Sequence, residues 1–210
     1  MATTVWDSGK KASAISLSGG DLVASMSGGV WGSVLGTVGR SFGAYYFELV
    51  PSASTYAIFG LAKSTIDAEQ YFAVSADGFG YRSDTGQKAT GGVFSSYGST
   101  FAAGDVIGVC TKNGKVWFAI NNVWQGGGNP VAETGEAFSG LSGLFYPAAA
   151  LYTCAATAHF SAGSLTYSPP SGYQAWDEDA APSGDNYNPA WLAPTTRRQF
   201  SHGTIAALKL

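Results

Sequence analysis

Short runs of alternating polar and apolar residues, each bounded by turn-forming residues, restrict what this chain can fold into. Glycine occupies 29 of the 210 positions, which is about twice the usual share of about 7%. It interrupts almost every run that has the three-to-four-residue spacing of an amphipathic helix. Only the segment 66–74 has room for one short turn of helix. The pattern therefore predicts an all-β fold, either a sandwich or a barrel.

Roughly ten strands are predicted before residue 168, and several turns favour antiparallel hairpins. Asn113-Gly114 is the best two-residue hairpin turn in the sequence, and Asp77-Gly78 is a second strong signal. Gly19-Gly20-Asp21 separates the first two predicted strands. The predicted strands are 13–19, 22–28, 43–51, 57–63, 71–76, 79–84, 105–112, 115–122, 144–152 and 156–161. Ten strands are enough for two packed antiparallel sheets.

The strand 43–51 has the strongest pattern, with three aromatic residues and a proline at its end. Successive side chains of a strand point to opposite faces, so Tyr45, Phe47 and Leu49 share one face. The opposite face carries the charge of Glu48. We therefore expect the first face to be the core.

Composition excludes several classes of protein. Only 12% of residues are charged and the net charge is −3, so nothing favours binding to nucleic acid. No stretch approaches 18 consecutive apolar residues, and membrane insertion is not expected. The first twelve residues lack the basic-then-apolar order of a signal peptide. Two cysteines are too few for a disulfide framework or a four-thiolate zinc site.

The pattern changes near Tyr167, where the period-two runs end and prolines become frequent. We expect a sandwich domain over 1–168 and an extended arm over 169–210 that docks on a surface, because a solvated linker would not normally carry so many large aromatic residues. Arg197-Arg198 is too short for a nucleic-acid patch and suits a salt bridge to a neighbour. The candidate assembly residues of the arm are Trp176, Tyr187, Trp191, Arg197, Arg198 and Phe200.

Five segments in the same order and spacing resemble the SPRY domain family over about residues 10 to 165. They are VLGTVGRSFGAYYFELV, IFGLAKS, FAAGDVIGV, KVWFAINNVWQG and LFYPAAALYTCAATAHF. The resemblance implies a concanavalin A-like jelly-roll sandwich of two antiparallel sheets. Asn122 departs from the family pattern, which usually has glycine at this turn, although asparagine tolerates a left-handed conformation.

The end of the domain, ATAHFSAGSLTYSPPSGYQAW, resembles the SPRY sequences found in tailed-bacteriophage structural proteins. This resemblance implies a virion component that is assembled in the cytoplasm of a host bacterium. The arm after Trp176 is not explained by the family.

The sequence contains no recognisable catalytic site, so we do not expect an enzyme. Gly39 to Gly43 forms a G-x-S-x-G motif around Ser41, but a strand follows where a hydrolase needs a helix. Only His159 and His202 could serve as its base, and a glycine-rich loop is the simpler interpretation. No cofactor is predicted and no metal-ligand run occurs, which leaves open only a calcium site assembled from distant loops.

The two cysteines, Cys110 and Cys154, both fall in predicted strands. We interpret them as small buried hydrophobic residues; a disulfide requires adjacent strands, which the sequence does not establish.

Loops at the ends of a sandwich are where recognition residues are expected. Trp124 follows a turn and precedes three glycines, so it either contacts a partner or folds back onto the sheet. Besides the ranges 31–40, 82–88 and 122–129, the candidate recognition residues are Trp31, Arg40, Tyr97, Trp124 and Gln125.

Two functions follow from these expectations. The first is a non-enzymatic structural protein of a phage head or tail, with other virion proteins and further copies of itself as partners. The second is an adhesion module for a host receptor or surface glycan. In the first case, deleting residues 177–210 should leave a folded sandwich that no longer joins the particle.

Overall fold

In the computed structural model, residues 3–41, 43–52 and 56–178 are described, and they form a sandwich of two antiparallel sheets. The first half of the sandwich contains nine strands: β1 (Trp6–Lys11), β2 (Ile15–Ser18), β3 (Val23–Met26), β4 (Gly32–Gly36), β5 (Tyr45–Pro51), β6 (Tyr56–Ala62), β7 (Gly78–Arg82), β8 (Gln87–Thr90) and β9 (Val93–Ser96). The second half contains six: β10 (Ile107–Lys112), β11 (Lys115–Ile120), β12 (Val123–Trp124), β13 (Tyr146–Tyr152), β14 (Ala155–His159) and β15 (Gln174–Ala175). The predicted fold class is confirmed.

Strands that are distant in sequence lie side by side in both sheets. The seven-stranded sheet has the order β1-β4-β13-β6-β7-β8-β9. The eight-stranded sheet has seven strands in the order β12-β11-β10-β5-β14-β3-β2, and β15 is its eighth strand. The short strand β15 pairs in parallel with the start of β5. The chain therefore crosses repeatedly from one sheet to the other, in several places through connections of only a few residues, as between β13 and β14.

The core lies between the two sheets and is rich in aromatic residues. Tyr45, Phe47 and Leu49 of β5 all face it and are almost fully buried, as predicted. The opposite face of β5 is also buried, however, because residues 165–173 lie across it. The charge of Glu48 therefore does not mark an exposed face, because its side chain is inaccessible.

One predicted strand is replaced by another element. The segment 71–76 contains a turn of 3-10 helix, Phe72–Val74, within the stretch that had room for one helical turn. Phe72 and Ala73 are buried against the outer face of the seven-stranded sheet. Asp77-Gly78 thus connects this helical turn to β7 and does not form a hairpin between two strands.

The sandwich also extends further along the chain than predicted. Trp176 is fully buried against Phe47 in the core, and its indole N–H donates to the carbonyl of Val38 at 2.9 Å. The Arg40 guanidinium binds the carbonyls of Trp176 and Glu178. The predicted boundary after residue 168 is therefore corrected, because residues 169–178 complete the sandwich. Residues 179–210 lie outside the described part of the chain.

Candidate functional site

The candidate site is an aromatic groove, open to solvent, on the outer face of the seven-stranded sheet. We define the groove by its four lining residues, Trp31, Tyr56, Arg82 and Tyr152. They come from the same end of four adjacent strands, where β4 begins, β13 ends, β6 begins and β7 ends. Further along the same face, the 3-10 turn covers the sheet. The groove is therefore the part of this outer face that the 3-10 turn does not cover.

Sheet register explains why these side chains meet. Tyr152 pairs directly with Tyr56, and Gly32, which follows Trp31, pairs with Leu151. Side chains directly opposite on antiparallel strands have Cβ atoms about 4.5–5.5 Å apart, which brings aromatic rings into contact. The ring centroids of Trp31 and Tyr152 are 5.7 Å apart, and those of Tyr56 and Tyr152 are 5.6 Å apart.

The rings form walls because they stand at large angles to one another. The ring planes of Tyr56 and Tyr152 meet at 85°, and those of Trp31 and Tyr152 meet at 53°. Tyr56 remains 41% exposed, which is unusual for so large a side chain on a strand. The space between the walls measures about 230 Å³. This is below the roughly 300–1,000 Å³ of small-molecule sites, so the groove suits one part of a larger ligand.

Arg82 contributes a guanidinium to the groove but little net charge. Its Nε and Nη2 donate to the two carboxylate oxygens of Asp84 at 2.5 and 2.9 Å. This pairing raises the pKa of Arg82 above its ordinary value, and the opposite charges of the two side chains offset each other. The guanidinium carbon lies 5.9 Å from the ring of Trp31 and 5.1 Å from that of Phe94. The groove thus combines aromatic and arginine surfaces, the residue types enriched at the centres of protein interfaces.

Two predicted recognition residues line the groove: Trp31, and Arg82, the first residue of the predicted range 82–88. Arg40 instead lies over the ring of Tyr45 at 4.6 Å and binds the C-terminal carbonyls. Tyr97 packs against Phe118, and burial raises the pKa of its hydroxyl to about 12. Gln125 is only 9% exposed, because its amide bridges Ser99 and Val123. Arg40, Tyr97 and Gln125 therefore make contacts within the domain, and their role in recognition stays a prediction.

Trp124 folds back onto the sheet, the second of its two alternatives. It is half-buried on the outer face of the eight-stranded sheet, where its ring stands edge-on to Tyr46 at 6.4 Å. Among the predicted assembly residues, Trp176 is in the core and unavailable to a partner. Tyr187, Trp191, Arg197, Arg198 and Phe200 lie outside the described residues.

The motif around Ser41 has the context expected of a glycine-rich loop, since β5 follows it. Cys110 and Cys154 are unpaired and buried, and they belong to separate apolar clusters. Among the described residues, no group of three or more histidine, cysteine, aspartate or glutamate side chains is placed to hold a metal ion. The same part of the chain contains no helix of the length and apolar character needed to cross a membrane.

The buried Glu48 is the functional-looking group that sequence reasoning missed. Its carboxylate accepts hydrogen bonds from the Tyr46 hydroxyl at 2.9 Å and from the backbone N–H groups of Thr166 and Tyr167 at 2.7 and 2.8 Å. Nδ1 of His159 lies 3.5 Å from the same carboxylate. Burial alone would raise the pKa of Glu48, but these neighbours outweigh it and hold the pKa below its ordinary value. Glu48 is therefore an anion at neutral pH, and its hydrogen bonds hold residues 166 and 167 against the sheet.

Tyr56 and Tyr152 were also missed as groove residues, although the sequence contained a signal. Each is an aromatic residue at the end of a strand and in phase with the outward-facing positions of that strand. The sequence does not tell which strands are neighbours, so the convergence of the two residues was not predictable.

Comparisons with known proteins agree with the fold. A sequence model of the SPRY domain matches residues 44–163. Among solved structures, the SPRY domain of human HERC1 aligns with a TM-score of 0.60 and 17% identity, over 73% of this chain and 96% of that one. At this identity, the likeness shows the fold alone. No curated protein matches the sequence.

Proposed function

This chain belongs to the SPRY domain family, and we propose that it is a non-catalytic structural protein of a bacteriophage particle. SPRY domains are typically protein-interaction modules without catalytic activity. On the particle, the domain makes protein–protein contacts as a component of the head or the tail. Its partners are other virion proteins and further copies of itself.

The aromatic groove is the observation that carries this proposal. Trp, Tyr and Arg side chains dominate binding energy at protein interfaces, and they do so in partly preformed pockets. The groove contains all three residue types, and none of its four lining residues belongs to the central core. Its lining contains no nucleophile paired with a base, so it is built to bind and not to react.

The low content of charged residues supports the same proposal. A monomeric soluble protein rarely exposes large apolar patches, whereas surface covered by partners tolerates them. The resemblance of residues 156–176 to phage structural proteins supplies the setting. The virion is accordingly the proposed location.

Quantifying the protein in purified particles tests the proposal. Particles assembled with the Tyr56→Ala variant should contain much less of the protein than particles assembled with the wild-type chain. The matched control is Val123→Ala, because Val123 is 64% exposed on the other sheet and should be incorporated normally. Absence of the wild-type protein from particles, or normal incorporation of Tyr56→Ala, would overturn the proposal.

A second candidate function, adhesion to a host receptor or glycan, is favoured by the exposure of the Tyr56 ring. Aromatic rings that show one face to water are common contact residues in binding sites. Binding of the purified wild-type protein to host cells, lost in Tyr56→Ala while particle incorporation is unchanged, would favour this function over the first.

A further inference from the structure

The two edges of the seven-stranded sheet differ in how they are protected against pairing with another chain. At one edge, β1 carries the charged residues Asp7, Lys10 and Lys11, and its register against β4 is irregular. Charges and irregularities of this kind keep an edge strand from pairing with another chain. At the other edge, β9 has the sequence Val-Phe-Ser-Ser, with no charge, no proline and a regular register against β8. The unprotected edge of this sheet is therefore β9.

The backbone of β9 presents two residues to solvent along this edge. Both glycines of the two-residue turn 91–92 have positive φ, at 59° and 74°, and in such a turn the flanking pair, Thr90 and Val93, is hydrogen-bonded. Hydrogen-bonded and non-hydrogen-bonded pairs alternate along an antiparallel ladder. The backbone N–H and C=O groups of Phe94 and Ser96 therefore point away from β8. No strand in the described part of the chain pairs with them.

The side chains of β9 leave this edge accessible while holding the strand in place. Ser95 and Ser96 are exposed, and Val93 is 67% exposed, more than any other large apolar side chain among the described residues. Phe94 is half-buried, with its ring centroid 5.9 Å from that of Tyr71. An incoming strand therefore meets a strand that is already ordered, which lowers the entropic cost of pairing.

The spacing of the outward-pointing groups fits a second copy of the same strand. An antiparallel copy centred on Ser95 places Phe94 opposite Ser96 of the second copy, and Ser96 opposite Phe94 of the second copy. Both pairs can then exchange N–H···O=C bonds in both directions, so every outward-pointing group of the two strands has a partner. In this register Ser95 faces its own counterpart on the two-fold axis. Val93 comes beside Tyr97 of the second copy, which covers the exposed valine.

The charges around the edge also permit a second copy. Residues 89–104 contain no charged side chain, so pairing of β9 with itself opposes no like charges. The nearest charge in β8, Lys88, donates to the carbonyl of Ala137 at 2.6 Å. A foreign peptide would be selected by charges or by pockets for alternate side chains, and the short neutral strand Val-Phe-Ser-Ser offers neither. A second copy needs no such selection, because it is present wherever the first one is.

We propose that β9 of one copy pairs antiparallel with β9 of a second copy, which joins their seven-stranded sheets into one continuous sheet. This inference rests on the proposed function, in which copies of this chain contact one another, and it identifies the surface of that contact. The same strand is used on both sides, so the pair is closed by a two-fold axis. The charged and irregular edge at β1 keeps the joined sheet from growing further.

Charge-swapped variants of the full-length chain test this register by analytical ultracentrifugation. Wild-type chains should sediment as dimers. Ser95→Lys and Ser95→Glu each place two like charges opposite each other on the axis, so each variant alone should associate more weakly by about tenfold or more. A one-to-one mixture of the two variants places opposite charges there and should restore the dimer.

A second variant and a matched control complete the experiment. Ser95 lies opposite Lys88 in β8, so Ser95→Lys may lose stability for a reason within one copy, and thermal unfolding checks this. Ser96→Pro removes an outward-pointing N–H and leaves the hydrogen bonds to β8 intact, so it should be folded and monomeric. Ser18→Lys is the control, because Ser18 is an exposed serine of β2, an edge strand of the other sheet. It should form dimers as the wild type does.

Three results would overturn the inference: a monomeric wild-type chain, dimers that persist in both charged variants, or a mixture of these variants that stays monomeric. Loss of the dimer in Ser18→Lys would overturn it in favour of pairing through β2. A protein that is present in particles but monomeric when purified would overturn this inference and leave the proposed function standing.

Discussion

At the scale of single residues, Glu48 combines full burial with a negative charge. Such a group is stable only if hydrogen bonds replace the water it has lost. Three donors do so, two of them backbone N–H groups of the segment that covers the sheet. Period-two reasoning used the charge of Glu48 to choose the other face of β5 as the core, because charge usually marks an exposed face. That rule fails here because a segment 118 residues away in sequence supplies the donors.

The Glu48→Gln variant should lower the stability of the sandwich at neutral pH, by about 1–3 kcal/mol, because the charge-assisted hydrogen bonds weaken. The folded pKa of Glu48 lies below its ordinary value, and the unfolded value is about 4.3. Its stabilisation is therefore complete above about pH 5 and is lost as the pH falls through the folded pKa. Urea unfolding at several pH values should show the gap between wild type and variant narrowing towards acid. Asp21→Asn, at an exposed turn, is the control; a gap that is constant with pH would contradict this assignment.

At the scale of elements, turn chemistry was the most reliable guide. Asn113 and Gly114 both have positive φ, at 51° and 69°, and they join β10 to β11 as predicted. The turns at Gly19-Gly20-Asp21 and Asn121-Asn122 were likewise placed correctly. These signals are local, because only a few residue types adopt left-handed conformations without strain.

Several strands and the helical turn were not predicted. Among these strands, β1, β4, β8 and β9 carry mainly polar or small residues, so their sequences lack a clear alternating pattern. The segment 71–76 has the composition of a strand but packs its apolar residues onto the sheet as a 3-10 turn. Tertiary contacts decide such cases, and one sequence does not contain them.

The contact between this 3-10 turn and β7 depends on Gly78. A Cβ at this position would overlap the carbonyl oxygen of Phe72, a backbone atom that has no flexible side chain to move aside. Gly78→Ala should therefore destabilise the fold by about 1–3 kcal/mol through overpacking.

Gly163→Ala is the matched control for Gly78→Ala, because a Cβ there has open space and the backbone is not left-handed. This variant should change the stability by less than about 1 kcal/mol. Urea midpoints measure both variants, and equal midpoints would contradict the close approach of the turn to β7.

At the scale of the whole molecule, the C-terminal part of the domain covers the sandwich in two places: the outer face of one sheet and the edge of the core. Leu165 and Tyr173 cover the outer face of the eight-stranded sheet, and Trp176 fills the core from its edge. β15 pairs with the start of β5, next to the point where β14 ends. Proline-rich composition suggested an arm over this stretch, because it has no period-two pattern. Extended segments that cover a sheet need no such pattern, so composition alone misplaced the boundary.

The candidate site was predictable only in part for a related reason. Aromatic residues on loops and strand ends were recognisable one by one, and Trp31 was among them. Their grouping depends on the strand order β4-β13-β6-β7, which brings together residues 31, 56, 82 and 152. A single sequence specifies the faces of strands but not which strands are adjacent.

Two truncations test where the folded unit ends. A chain ending at residue 180 keeps Trp176, Asp177, which accepts a hydrogen bond from the N–H of Thr4, and the Arg40 contacts. It should unfold at the same temperature as the full chain.

A chain ending at residue 168 loses the fully buried Trp176 and β15. Removal of a buried tryptophan side chain costs about 3–5 kcal/mol, against a total stability of about 5–15 kcal/mol. Calorimetry should therefore find this shorter chain unfolded or strongly destabilised. Similar melting temperatures for the two truncations would show that the segment 169–178 is an appendage and that the core closes without it.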